Sequence, residues 1–121
     1  MKIQQSAEDY LETILMLGQK KPMIRSIDVV NELGFSKPSV SIAMKNLREN
    51  NYISMDHEGY ITLLPAGRTI AETMYERHTL LTQFLIQLGV PADIAAEDAC
   101  RMEHVISVES FEAIKGNVTK L

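Results

Sequence analysis

Between residues 26 and 63 the spacing of apolar side chains stops, restarts and then changes period, and few folds accommodate that order. Ile27, Val30 and Leu33 recur at helical spacing after Ser26, which reads as an N-cap. Gly34 follows, suited to the left-handed conformation that closes a helix. A new helix is expected at once. Ser36 is its N-cap, Pro38 sits in the first turn where a missing N–H does no harm, and Val40, Met44 and Leu47 form its inward stripe. After Asn50-Asn51 the period drops to 2: Ile53, Met55 and His57 alternate with polar residues, Glu58-Gly59 supplies a turn, and Tyr60-Ile61-Thr62-Leu63 returns as a short β-hairpin.

The flanks are helical. Ser6 and Asp9 at capping-box spacing, then Tyr10, Leu11, Ile14 and Leu17, predict a capped amphipathic helix over about 7–18, ended by Gly18 and the QKKP stretch. Pro65 opens a long helix, about 66–88, with Ile70, Met74, Leu81, Leu85 and Leu88 on one face. Gly89-Val90-Pro91 breaks it; Ile94 to roughly His104 forms another helix, and Ser107 caps a last one through Val108, Phe111 and Ile114 before Gly116. Helix, helix, tight turn, helix, hairpin, helix is a winged helix-turn-helix. The fold class expected is therefore mostly α with a small β-hairpin: a winged helix-turn-helix DNA-binding domain over 1–65, then a helical domain over 66–121. The long helix has more apolar surface than one small lobe covers, so part of it is expected to be buried against a second subunit, making a homodimer.

A chain of 121 residues holds one domain or two small lobes. Its 12 basic and 16 acidic residues leave a net charge of −4, which taken whole argues against nucleic acid. The distribution reverses that reading. Residues 20–52 hold six basic and three acidic groups, whereas the segments on either side are acidic, so the positive island coincides with the helix-turn-helix. Cys100 is the only cysteine, and MKIQQSAEDY has no basic-then-apolar secretory pattern, so a cytoplasmic location is expected. No apolar run approaches membrane-spanning length, and no membrane partner is expected.

In a helix-turn-helix the second helix enters the major groove of double-stranded DNA. Ser36, Lys37, Pro38, Ser39, Ser41, Lys45 and Arg48 lie off the Val40/Met44/Leu47 face, offering hydroxyls and cations to phosphates and base edges. Ile42 points outward with them and suits thymine methyl groups. For an isolated helix the better reading is a capped start with solvated cations; the order of the surrounding elements makes the DNA-facing reading specific. Asp56 and Glu58 make the hairpin tip a poor phosphate binder, so DNA contact falls mainly to the recognition helix.

The acidic flanks carry residues at metal-ligand spacing: Asp9 and Glu12 at i, i+3, His78 on the long helix, and Cys100, Glu103 and His104 at i, i+3, i+4. Converging, they would hold one divalent cation or two adjacent ones. Spacing leaves the plainer readings open: Asp9 as a capping-box member, Glu12 as solvated, Cys100 as a small core residue, and His78 and His104 as structural histidines.

The runs AEDYLETI, LGFSKPSVSIAMKNL, ERHTLLTQFLIQLGV and EDACRMEHVIS resemble the diphtheria-toxin-repressor and manganese-transport-regulator family of metal-dependent repressors, over nearly the whole chain. The resemblance implies that Asp9 and Glu12 match acidic ligands of the manganese branch, that Cys100, Glu103 and His104 match the Cys-x-x-Glu-His ligands of the iron branch, and that His78 is a ligand common to both. The chain departs from the iron branch at Thr82 and Ala96, where that branch carries an acidic residue and a histidine; Glu97 and Asp98 lie nearby. It departs from the manganese branch in having Cys100 in place of a carboxylate. A thiolate is softer than a carboxylate, so Fe(II) is expected ahead of Mn(II) as co-repressor, with Co(II), Ni(II) or Zn(II) able to bind in vitro.

What the resemblance implies is a metal-dependent transcriptional repressor of metal-homeostasis genes, not an enzyme. Metal is expected to tie the first helix to the dimer lobe by relieving repulsion among Asp9, Glu12 and Glu103, so that two reading heads sit at a fixed spacing on operator DNA. Two other classes share parts of the pattern. A winged-helix regulator answering to a small molecule, or to no metal, would share the first 65 residues. A metallohydrolase would share the ligands, but no general base stands beside them.

Overall fold

The computed structural model describes residues 5–118; the ends of the two expected domains, 1–4 and 119–121, lie outside the described residues. In chain order the elements are α1 (Gln5–Lys20), α2 (Ser26–Leu33), α3 (Lys37–Glu49), β1 (Ile53–Met55), β2 (Ile61–Leu63), α4 (Pro65–Gln87), α5 (Ala92–Met102) and α6 (Val108–Lys115). This is the mostly helical chain with a small hairpin that the periodicities predict. It forms two compact units, one ending at Glu72 and the other beginning at Thr73, inside α4.

The core of the first unit is built from Leu11, Ile14 and Leu17 of α1, Val29 of α2, Val40, Met44 and Leu47 of α3, Ile53 and Ile61 of the hairpin, and Ala71 of α4. Burial of each large aliphatic side chain contributes about 1.5–3 kcal/mol, enough to hold three short helices against a two-stranded hairpin. α3 forms where its caps require. Ser36 Oγ accepts the Ser39 N–H at 3.2 Å. Gly34 takes φ 72° and its N–H donates to Val30 O at 2.8 Å, closing α2 so that the chain can turn directly into α3.

Several local expectations need correcting. α1 runs from Gln5 to Lys20, so Ser6 lies inside the helix rather than capping it, and Gly18 does not stop it. Gly18 is exposed, and its weak helix propensity costs about 1 kcal/mol, which the packing of Leu11, Ile14 and Leu17 offsets. α2 is capped one residue earlier than Ser26: the Arg25 N–H donates to the Asp28 carboxylate at 2.9 Å. Its buried residue is Val29, 0% exposed, while Ile27 is turned outward at 43% and Val30 and Leu33 are partly buried.

The hairpin pairs Ile53 with Leu63 and Met55 with Ile61 in antiparallel register. His57 belongs to the turn rather than to a strand, because the Asp56 carboxylate accepts the N–H groups of Glu58 (3.0 Å) and Tyr60 (2.9 Å) and folds the chain back early. The segment before α2 flanks β2: the Ile61 N–H donates to Ile24 O at 2.7 Å, and the Arg25 guanidinium lies 4.3 Å from the Tyr60 ring centre. α4 begins against the segment between α3 and β1. The Leu64 N–H donates to Tyr52 O at 3.0 Å, and a Cβ on Gly67 would overlap that same carbonyl.

In the second unit Leu81, Ala99 and Phe111 form the buried centre, with Leu80, Met102, Ile106 and Ile114 packed around them. α5 ends at Met102, short of the expected His104, and Ser107 Oγ caps α6 by accepting the Ser110 N–H at 3.0 Å. α4 stops at Gln87, so Leu88 falls outside the helix and is exposed rather than part of its inward stripe. Ile86, Ile94, Val105 and Val108 are also exposed. Among the described residues, no helix is long and apolar enough to cross a membrane.

Candidate nucleic-acid interface and metal centre

α3 separates its residues cleanly. Val40, Met44 and Leu47 are buried, while Ser36, Lys37, Pro38, Ser39, Ser41, Ile42, Lys45 and Arg48 are all exposed. Ile42 is 63% exposed, an apolar side chain presented among hydroxyls and cations. Ser36 Oγ also donates to Ser39 Oγ at 2.8 Å, which orients both hydroxyls at the helix N-terminus. Phe35, which carries no signal in the apolar spacing, stands half exposed beside this N-terminus and edge-on to Tyr10 with ring centres 6.0 Å apart. At the hairpin tip Asp56 is engaged with its own backbone and Glu58 is exposed, leaving no cation there to meet a phosphate.

Of the six expected ligands, Asp9 and Glu12 lie on α1 in the first unit. Asp9 is partly exposed; Glu12 is 7% exposed, an acidic residue in a run of buried positions. Burial raises the pKa of the neighbouring Tyr10 hydroxyl, and the Asp9 charge adds to the effect.

The other four belong to the second unit, where His78, Cys100 and His104 converge on Glu103. Its carboxylate is fully buried and neither oxygen accepts a hydrogen bond. Oε2 lies 3.4 Å from His78 Nδ1 on α4, and Oε1 lies 3.5 Å from His104 Nε2 on the same turn. Cys100, one turn earlier on α5 and exposed, brings Sγ within 4.8 Å of the carboxylate. Solvent exclusion disfavours an ionised carboxylate by several kcal/mol unless a cation or donors compensate. Donors bound to one divalent cation at about 2.0–2.2 Å sit roughly 3.0–3.5 Å apart, the separation found between Glu103 and each imidazole. Carboxylate, imidazole and thiolate so arranged fit a divalent transition metal.

Arg77 escaped the sequence reading because a basic residue on a helix normally denotes a solvated face. Its Nη1 instead donates to Glu103 O at 3.0 Å and to Ile106 O at 3.1 Å.

Comparison with known proteins covers both halves. Residues 2–61 match the family described as iron dependent repressor, N-terminal DNA binding domain, and residues 64–120 match iron dependent repressor, metal binding and dimerisation domain. The chain is 36% identical over 106 residues to the transcriptional regulator MntR of Salmonella typhimurium, covering 88% of this chain and 68% of that protein. It is 32% identical over 109 residues to the HTH-type transcriptional regulator MntR of Bacillus pumilus, covering 90% and 76%. Among solved structures it superposes on the manganese regulator SloR with a TM-score of 0.82 at 27% identity, over 100% of this chain and 57% of that one. A manganese-dependent transcriptional repressor in complex with manganese gives 0.81 at 29% identity, over 93% and 52%. The chain thus spans little more than half the length of these solved relatives.

Proposed function

The chain belongs to the iron-dependent repressor family, which includes the manganese regulators, and on that premise we propose that it binds operator DNA as a homodimer when Fe(II) or Mn(II) is held at a site centred on Glu103. The family consists of DNA-binding transcriptional repressors rather than enzymes. Residues 1–65 read DNA in this proposal and residues 66–121 dimerise and sense metal, with genes of metal homeostasis as the targets and the cytoplasm as the location.

The proposed ligand set is Asp9, Glu12, His78, Cys100, Glu103 and His104. The observation that carries the reading is the buried Glu103 carboxylate, which accepts no hydrogen bond and is faced by two imidazoles. When bound, the cation supplies the positive charge that a buried carboxylate requires. In this proposal DNA affinity depends on occupancy of that ligand set, a coupling typically worth about 1–3 kcal/mol. On the DNA side Lys37, Lys45 and Arg48 neutralise phosphates, Ser39 and Ser41 offer hydroxyls to base edges, and Ile42 packs on thymine methyls. The Cys100 thiolate favours Fe(II), whereas similarity to a manganese regulator and a manganese-dependent repressor favours Mn(II).

The test is a metal titration followed by a DNA-binding assay on duplexes selected from a random pool. A stoichiometric divalent cation, with DNA affinity raised about 5- to 150-fold over the chelator-treated protein, is the expected result. Equal DNA affinity with and without metal would overturn the proposal.

A further inference from the structure

Arg77 and His78 are consecutive on α4, yet they meet Glu103 through different groups. His78 faces the carboxylate, while Arg77 donates to the main-chain oxygen of the same residue. Glu103 is the C-cap of α5, so its carbonyl lies where a helix leaves acceptors without intrahelical donors, and the Ile106 carbonyl lies just before the α6 cap at Ser107. One guanidinium nitrogen serves both, at 3.0 and 3.1 Å, and so spans the turn that carries Glu103 and His104. The guanidinium carbon lies 5.5 Å from the ring centre of the buried Phe111, which backs it from the core side.

The pairing that does not form is as informative. An arginine beside a buried carboxylate ordinarily makes a bidentate salt bridge with it. Here neither Glu103 oxygen accepts a hydrogen bond, and Arg77 Nε is itself buried without an acceptor, an arrangement that costs stability. The guanidinium is spent on the main chain and the carboxylate keeps its donor electrons.

We propose that Arg77 is the positioning residue of the metal centre: it fixes the Glu103–Ile106 turn so that the Glu103 carboxylate faces the two imidazoles, without itself hydrogen-bonding that carboxylate. The inference rests on Glu103 being a ligand.

The experiment measures Mn(II) affinity of the full chain from the loss of the free-ion EPR signal, together with the thermal midpoint of the chelator-treated protein and the visible spectrum of the Co(II) form. Arg77→Met is expected to weaken Mn(II) binding about 10- to 100-fold and to alter the Co(II) spectrum, as when an outer partner of a ligand is removed. Arg77→Lys keeps the charge but lacks the planar fork, and is expected to fall between Arg77→Met and wild type. Wild-type Mn(II) affinity and Co(II) spectrum in both variants, with only a lowered midpoint, would mean that Arg77 merely stabilises the fold and would overturn the inference. If Arg77→Met does not fold, unchanged affinity in Arg77→Lys overturns it alone. A wild-type protein that binds no Mn(II) or Co(II) would instead remove the ligand reading beneath it.

Discussion

Glu103 and His78 face each other across 3.4 Å, with Glu103 fully buried and its carboxylate accepting no hydrogen bond. Such a carboxylate opposes folding of the metal-free chain and favours a bound cation. Glu103→Gln removes the charge at nearly constant volume. It should raise the thermal midpoint of the metal-free protein and abolish its rise on adding Mn(II). At metal 100-fold above Kd that rise corresponds to about 2.7 kcal/mol in wild type. Retention of the Mn(II)-induced rise in the variant would contradict a ligand role.

Cys100 carries the softest donor of the set and is exposed one helical turn before Glu103. Cys100→Glu should shift preference from Fe(II) towards Mn(II), read as the ratio of the two affinities under anaerobic conditions. An unchanged ratio would remove Cys100 as the selector.

Lys37 and Lys45 are both exposed on α3, whose Val40 and Met44 are buried. Replacing either with alanine should weaken binding across all duplex sequences and reduce the slope of log affinity against log salt by about one. A loss confined to particular base pairs would make the residue a reader of sequence instead.

Gly67 begins α4 against the Tyr52 carbonyl, which the added Cβ of Gly67→Ala would overlap. Backbone cannot yield as a flexible side chain does, so this substitution should destabilise the first unit by about 3 kcal/mol, despite alanine's better helix propensity. Urea denaturation checks it. A stabilised variant would mean that the start of α4 shifts freely.

Asp28 accepts from Lys21 Nζ at 2.6 Å and from the Arg25 N–H at 2.9 Å, and these partners hold its pKa below the ordinary carboxylate value. A pKa lower in the folded than in the unfolded chain stabilises the fold above the unfolded value, and that stability is lost as pH falls through the folded one. Asp28→Asn should therefore cost about 1 kcal/mol at pH 7, with the difference from wild type shrinking as pH falls below about 4. A difference that stays constant into acid would show that the charge plays no part.

α3 was legible because its determinants are local. Ser36 caps it, Gly34 precedes it with positive φ, and Val40, Met44 and Leu47 recur at helical spacing. α2 was legible only in part. Ile27, Val29, Val30 and Leu33 crowd eight residues with apolar side chains, so spacing alone does not select the inward one; contact with α1 and α3 selects Val29. Ser6 and Asp9 imitate a capping box inside a helix that begins earlier, since the same residue types serve at a cap and on an exposed turn.

The sequence by itself determined the order of elements, the charge of the segment that forms α2 and α3 and the types of donor available to a metal, because periodicity, caps and composition act within a few residues of the chain. Only the tertiary structure decided that Glu103 is buried, that it meets His78 from an earlier helix, that Arg77 takes the main chain of Glu103 rather than its carboxylate, and that Gly67 must lack a side chain. Each depends on which surfaces pack together over long chain separations. A helical repeat states that a face is apolar without stating what will cover it, and an ionisable side chain acquires its chemistry from the solvent it loses when that cover arrives.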